Sequence, residues 1–217
     1  SYLDALSREL KQHPQLRRFP DIATFAFYCR KANLLQMKRE YGHDVEICLG
    51  RGVVFHITPA NVPVNFAYSL LVGLLAGNAN VVRTPTKDFE QVGIIVDAIR
   101  KLSASGDYPL ISERIVLVRY GRQSEATQRF SALCDVRVIW GGDETIKRIR
   151  EAPLPPRAFD LTFADRYSIC VINADTFVSE EAPEKVVTGF YNDTYLVDQN
   201  ACTSPHLVVW LGDKKNT

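Results

Sequence analysis

No charge of one sign dominates the 217-residue chain: 26 Lys and Arg stand against 25 Asp and Glu, a formal net charge of +1 at pH 7. Clustered excess Lys and Arg is the electrostatic footprint of sequence-independent binding to nucleic acid or an acidic membrane, and it is missing here. Neither partner is expected. No apolar run approaches the ~20 residues of a membrane-spanning helix, and the longest, Phe66 to Ala76, reads as a buried helix. The stretch Ser1 to Gln12 is charged and amphipathic and lacks the apolar core of a signal peptide. C-x-x-C pairs are absent. The five cysteines, Cys29, Cys48, Cys134, Cys170 and Cys202, are odd in number and scattered, which fits neither a disulfide framework nor a metal site. The expectation is a cytoplasmic protein in a reducing compartment, with no metal. Internal repeats and low-complexity tracts are lacking, and so are G-x-G-x-x-G and G-x-x-x-x-G-K-[ST]. Neither the usual dinucleotide fingerprint nor a P-loop is present.

What is present is an ordinary globular composition, 46% hydrophobic and 24% charged. Tyr2 to Leu10 and Ile22 to Met37 carry apolar residues at helical spacing, broken by His13-Pro14 and Phe19-Pro20, and predict an N-terminal helical arm. From Arg51 onward, short β-branched runs alternate with longer helical segments. Strands are expected at Val53 to Ile57, Asn80 to Arg83, Arg114 to Val118, Val136 to Trp140, Ser168 to Ile172 and Leu207 to Leu211. Helices are expected at Val64 to Ala76, Asp88 to Leu102 with Asp88 as N-cap, Ser124 to Leu133, Asp143 to Arg150 and Pro183 to about Tyr195. Gly77-Asn78 offers the left-handed residue that stops the first of these. Pro153, Pro155 and Pro156 close the series that begins at Arg51.

Strand, helix, strand in repetition implies parallel pairing with right-handed crossovers, because the connections are too long for hairpins. The expected fold class is α/β, a doubly wound, mostly parallel sheet with the helical arm before it. The expected domains are a helical segment over 1–50, a dinucleotide-binding domain over 51–178 and the start of a truncated catalytic domain over 179–217. Ligands of such sheets sit outside the carboxyl ends of the strands, where helix N-termini meet phosphates. The loops that matter are therefore Thr58 to Pro63, Thr84 to Lys87, Tyr120 to Gln123 and Gly141 to Asp143. Residue patterns alone support a nucleotide site and go no further.

Three segments together carry a resemblance: Gly52 to Lys87 (GVVFHITPANVPVNFAYSLLVGLLAGNANVVRTPTK), Trp140-Gly141-Gly142-Asp143-Glu144, and Asp198 to His206 (DQNACTSPH). They resemble the LuxC-type acyl-CoA reductases, the fatty-acid reductases of the aldehyde dehydrogenase superfamily. The superfamily's P-x-N turn is matched by Pro59-Ala60-Asn61, its A-G-N-x-V-x-x-P stretch by Ala76 to Pro85, and its nucleophile loop by the residues around Cys202. The resemblance implies reduction of an acyl thioester to an aldehyde with NADPH, with NADH as the second option.

The implied chemistry suits the residue types. A thiolate attacks a thioester carbonyl and a second thiolate leaves, which gives an acyl-enzyme. The resemblance makes Cys202 the nucleophile and assigns the oxyanion to the Asn61 side chain and the Cys202 backbone N–H. Cys202 is flanked by polar Asp198-Gln199-Asn200 and Thr203-Ser204-Pro205, a loop setting and not a core one; the other four cysteines read as structural. Asn61 read alone would be an Asx-turn residue between two prolines. Cofactor contacts are expected from Thr58, Pro59 and Ala60 after the first strand, from Arg83, Thr84 and Lys87 after the second, and from Gly141 and Gly142. A cation at Lys87, where NAD-preferring relatives often carry a glutamate, suits a 2′-phosphate; the alternative is a solvated surface charge. Asp143 reads as an N-cap, and His206 is a weaker candidate for the base that deprotonates Cys202.

Two departures stand out. Aldehyde-oxidising relatives carry Glu-Leu-Gly-Gly-Lys before the cysteine, whereas the corresponding region here is Asp160-Leu161-Thr162-Phe163-Ala164-Asp165. Loss of that glutamate favours acyl exchange over hydrolysis. The chain also ends soon after Cys202, where the family's catalytic domain continues, and so reads as a fragment without turnover of its own. Two other functions stay open: an NAD(P)-dependent dehydrogenase oxidising an aldehyde, and a noncatalytic nucleotide-binding module. The expected partners are an acyl-CoA or acyl-carrier thioester and, among proteins, a second copy or an acyl-transfer enzyme.

Overall fold

The structure, a computed structural model, describes residues 1–41, 48–59, 62–121, 124–195, 199 and 201–214. Contacts divide the chain into two units, Ser1–Ala164 and Asp165–Thr217.

In the first unit β1 (Val53–Ile57), β2 (Ala79–Arg83), β3 (Ile115–Val118), β4 (Val136–Trp140) and β5 (Phe159–Phe163) form one sheet in the order β3-β2-β1-β4-β5. Every pairing is parallel, with Val54 facing Asn80 on one side and Val136 on the other. The expected doubly wound α/β class is borne out. Parallel strands leave the sheet by crossovers, so helices cover both faces. On one face lie α1 (Tyr2–Lys11), α2 (Pro20–Tyr28), α4 (Asn65–Leu75) and α5 (Glu90–Ala104), whose Leu6, Leu10, Ile22, Phe25, Phe66, Leu71 and Ile95 share one core. The N-terminal helices are thus packed into the main core. On the other face α8 (Asp143–Arg150) seats Ile146 and Ile149 against Phe55, Ile57 and Ile139, and Phe130 of α7 (Ala126–Ser131) joins them. The short α6 (Pro109–Ser112) leads into β3.

The single helix expected over 22–37 is two, α2 and α3 (Lys31–Tyr41). One hydrogen bond from another helix and one within the segment mark the break. The Asp4 carboxylate of α1 accepts the Lys31 N–H at 2.9 Å, and the Asn33 amide donates to the Tyr28 carbonyl at 2.8 Å. A new helix start is thereby capped from 27 residues away. The Lys31 hydrogen bond holds the Asp4 carboxyl below its usual pKa. Two other caps also differ from expectation. Phe89, not Asp88, is the N-cap of α5, and Asp88 turns outward to Arg119 at 3.5 Å. Gly142, not Asp143, precedes α8. Gly77 stops α4 in the left-handed region (φ +78), as its sequence position predicts.

β5 was not expected after the proline cluster, although Phe159, Leu161 and Phe163 alternate with Asp160 and Thr162 in strand fashion. Asp160 explains its place. Arg137 of β4, 1% exposed, donates from Nε and Nη2 to the two Asp160 oxygens at 2.7 and 3.1 Å, and from Nη1 to Ser131 Oγ and the Ala152 carbonyl, both at 2.9 Å. Arg150 adds a second cation to Asp160 at 3.2 Å.

The opposite face carries a second buried polar group. His56 of β1, 2% exposed, lies between Ser69 of α4 (Nδ1 to Oγ, 2.8 Å) and Asn80 of β2 (Nε2 to Oδ1, 3.0 Å). Gly73 lets α4 approach here, because a Cβ would strike Asn80 Oδ1.

In the second unit β6 (Ser168–Asn173) pairs in parallel with β7 (Pro205–Leu211), with α9 (Ala174–Val178) and α10 (Pro183–Tyr195) between them in the chain. β6 therefore belongs to a sheet of its own and does not extend the five-stranded one. Asn173 caps α9 by accepting the Thr176 N–H at 3.0 Å. Among the described residues no helix is long and apolar enough to cross a membrane.

Removing one partner of a buried ion pair leaves the other charge uncompensated. Arg137→Ala is therefore expected to lower unfolding free energy by roughly 3 kcal/mol in urea denaturation. Burial drives the His56 pKa down to about 4, with the Asn80 hydrogen bond opposing. An unfolded histidine near 6.5 takes up the proton first as pH falls, so the contribution of His56 is complete above about pH 6.5 and is lost towards pH 4. It is worth on the order of 3 kcal/mol. Thermal midpoints measured across this range should fall steeply, and less steeply in His56→Gln.

Candidate active site

The chain leaves β1 for α4 on one face and leaves β4 for α8 on the other, so a crevice opens at the carboxyl ends of these neighbouring strands. A cleft of about 180 Å³ lies there. Its lining includes Thr58 and Pro59 after β1, Arg83 and Thr84 after β2, and Gly141 after β4, which brings five predicted cofactor residues together. Thr58 Oγ1 donates to the Arg83 carbonyl at 2.8 Å, and Thr84 N–H and Oγ1 donate to the Val118 carbonyl at 2.9 and 3.3 Å. The ends of β1, β2 and β3 are thereby tied to one another. Arg83 lies over the Tyr120 ring, its Cζ 4.8 Å from the centroid, and donates to the Tyr120 carbonyl at 3.3 Å. Burial raises the Tyr120 phenol pKa.

Gly142 takes the extended conformation (φ −65, ψ 165) and accepts the Thr145 and Ile146 N–H groups, so α8 starts at the rim of the cleft. Its first N–H groups have no intrahelical acceptor and suit an anion. Asp143 and Glu144, in that first turn, are exposed and do not line the cleft.

The structure separates Lys87 from this group. It lines the adjoining groove beside α5, with its Nζ 5.0 Å from the Phe89 ring centroid. Thr86 takes the cleft position. Ala60 and Asn61 lie outside the described residues, as do Asp198 and Asn200.

Sequence reading missed Thr86, Trp140, Thr145 and Arg148 as lining residues. Thr145 and Arg148 were legible, since residues three apart share a helix face beside the buried Ile146 and Ile149. Trp140 opens the Trp-Gly-Gly motif but carried no sign of a lining role of its own. Among the described residues the cleft is lined by two arginines and no carboxylate.

In the second unit Cys202 lies in the turn between α10 and β7 and is exposed. Ser168 Oγ donates to its carbonyl at 2.7 Å, and Ser204 N–H closes the turn on the Ala201 carbonyl at 3.0 Å. Gln199 adopts the left-handed conformation (φ +58) in the same loop. His206, the candidate base, is in β7 with its ring stacked on Tyr167 at 5.3 Å. Cys29 and Cys134 are buried, and burial pushes the Cys29 thiol up to about 12. No cluster of three or more metal-ligating side chains occurs among the described residues.

The parallel sheet with its crevice at the β1/β4 divergence has the fold of the aldehyde dehydrogenases. The NAD-dependent benzaldehyde dehydrogenase of Corynebacterium glutamicum matches 96% of this chain with 49% of its own, at TM-score 0.63 and 14% identity. Proline utilization A of Corynebacterium freiburgense matches 99% of this chain with 22% of its own, at TM-score 0.62 and 17% identity. Within that class, the family described as acyl-CoA reductase (LuxC) matches residues 32–217, and the chain belongs to it. The sequence resemblance is borne out. Long-chain acyl-protein thioester reductases of Aliivibrio fischeri, over 164 residues, and Photobacterium leiognathi, over 168, are each 27% identical. They cover 75% and 76% of this chain, which spans about a third of their length, 33% in each case.

Thiol exposure gives a direct check. Brief alkylation followed by peptide mapping should label Cys202 and Cys48 and spare Cys29 and Cys134 until the protein is unfolded.

Proposed function

We propose that this chain forms the cofactor-binding part and nucleophile turn of an oxidoreductase that reduces a fatty acyl thioester to the aldehyde with NADPH. The cleft at the carboxyl ends of β1, β2 and β4 carries the reading, because its lining suits a dinucleotide phosphate. Sites that select NAD use a carboxylate on the ribose hydroxyls, whereas a 2′-phosphate calls for a cation. Arg83 and Arg148 supply cations there, and no carboxylate competes among the described lining residues. When bound, the reduced nicotinamide supplies the hydride that takes the acyl carbon to the aldehyde level.

Cys202 acts as the nucleophile. Its thiolate forms a bond to the thioester carbonyl carbon, the original carbon–sulfur bond breaks, and the electron pair leaves on the departing thiolate. The Asn61 amide and the Cys202 N–H are assigned to the oxygen that gains charge during this exchange. Hydrolysis of the acyl-enzyme needs a free carboxylate base. Asp160, in the region where oxidising relatives hold theirs, is bound by Arg137 and Arg150. That supports reduction over oxidation. The family description speaks of acyl-CoA and the curated relatives of acyl-protein, and the exchange at Cys202 is the same for both donors. An acyl-transfer enzyme or a second copy completes the proposed partners.

With full-length protein and acyl-CoA or an acyl-carrier protein, intact-mass measurement should find one acyl adduct. Cys202→Ala should remove it and lower aldehyde formation at least ~10³-fold. Oxidation of aldehyde to acid without CoA, faster than thioester reduction, would overturn the reading. Arg148→Gln should weaken NADPH binding about tenfold, the scale of one charge-assisted hydrogen bond, and leave NADH binding nearly unchanged. Lys87→Ala should do less.

A further inference from the structure

Trp140, at the end of β4, lines the cleft beside Gly141. Its ring lies flat on Phe163 of β5, with centroids 3.9 Å apart and planes 9° from parallel. Its Nε1–H donates to Ser69 Oγ of α4 at 3.2 Å. Two contacts from two elements thus hold the ring, one by stacking and one by its single polar atom.

The Ser69 bond is not isolated. The Asn80 amide donates from Nδ2 to the Asn78 carbonyl at 2.9 Å, which turns Oδ1 towards His56. An amide oxygen only accepts, so His56 carries its proton on Nε2, and Nδ1 is left as an acceptor. Ser69 has one hydroxyl proton, which goes to Nδ1, and its oxygen lone pair faces the indole. Every bond then runs one way: Trp140 to Ser69, Ser69 to His56, His56 to Asn80, Asn80 to Asn78. Ser69, His56 and Asn80 are 6%, 2% and 2% exposed, so no solvent competes for these atoms.

Apolar side chains of similar shape would serve stability as well as this buried polar chain does, since a buried hydrogen bond contributes little net free energy. Its distinctive product is direction. It fixes the angle at which the indole meets Ser69, and so fixes the plane of the cleft wall.

We infer that Ser69 and His56 are positioning residues for the dinucleotide: they lock Trp140 as a rigid aromatic wall of the cofactor cleft. This rests on the cofactor reading above. A prearranged wall spares the ordering of a large side chain on binding, so its loss shows in cofactor affinity and not in the chemistry at Cys202.

The test uses full-length protein labelled with fluorotryptophan, with the Trp140 resonance assigned through Trp140→Phe. Ser69→Ala should shift or broaden that resonance and weaken NADPH binding about 3- to 10-fold, the range set by one lost buried hydrogen bond. Acylation of Cys202 by acyl-CoA should stay within about twofold of wild type. Ser69→Thr, which keeps the hydroxyl, should restore both resonance and affinity. Unchanged NADPH affinity in folded Ser69→Ala overturns the positioning role, as does a folded Ser69→Thr that restores neither. Should Ser69→Ala not fold, Trp140→Phe keeps the stack on Phe163 and removes the N–H; it carries the same expected loss and the same overturning result. Wild-type protein that binds no NADPH overturns the cofactor reading itself, an outcome distinct from wild-type binding that Ser69→Ala leaves unaltered.

Discussion

β1 is paired on both edges, with β2 on one side and β4 on the other, and both pairings are parallel. A central parallel strand has no solvent face, because each crossover that feeds the sheet lays a helix over it. Phe55 and Ile57 meet the core beneath α8 on one side, while Val54 and His56 point to the other. The same pairing sends the chain from β1 and from β4 to opposite faces, and the crevice between these departures is the cleft proposed to take the cofactor. Core and site are therefore two results of one arrangement of strands.

Such a sheet makes any polar residue within it expensive unless paired. Two such paired networks lie among the described residues. On the α8 side, Arg137 and Asp160 bind β4 to β5 and anchor Ser131 and the Ala152 carbonyl, which makes the last strand an ion-paired edge and not a loose extension. On the α4 side, neutral His56 joins β1 and β2 to the helix through Ser69 and Asn80, and passes the connection to Trp140 at the cleft. The first pair occupies both oxygens of Asp160, and the second reaches Trp140 in the lining of the cleft. Both tie the interior of the sheet to its edges.

Membership of the acyl-CoA reductase family gives these features a common context. The first unit holds a cleft suited to anions, with Arg83, Arg148 and the start of α8 around it. The second unit presents Cys202 on an exposed turn anchored by Ser168. A sulfur on a short, hydrogen-bonded turn is open to solution, whereas Cys29 and Cys134 are closed off by the core.

The strands β1 and β4, the helices α8 and α10 and the stop at Gly77 follow directly from local pattern: apolar runs, helical spacing and a left-handed glycine are short-range properties. The family motifs were equally local, and they marked most of the lining of the cleft. The break between α2 and α3 was not legible, because the Asp4 cap comes from another helix. Nor was the departure of Lys87 from the cleft, which depends on how the chain turns from β2 into α5. The strand β5 was half legible: its alternation was in view, but the partner of Asp160 is Arg137, on a different strand. The sequence by itself determined most of the strands and helices and the motifs at the carboxyl ends of the strands, since those depend on neighbours along the chain. Only the tertiary structure decided which buried polar atoms meet, which cation enters the cleft and how Trp140 is held, because hydrogen bonds and ion pairs between elements act over a few ångströms of space and are blind to distance along the chain.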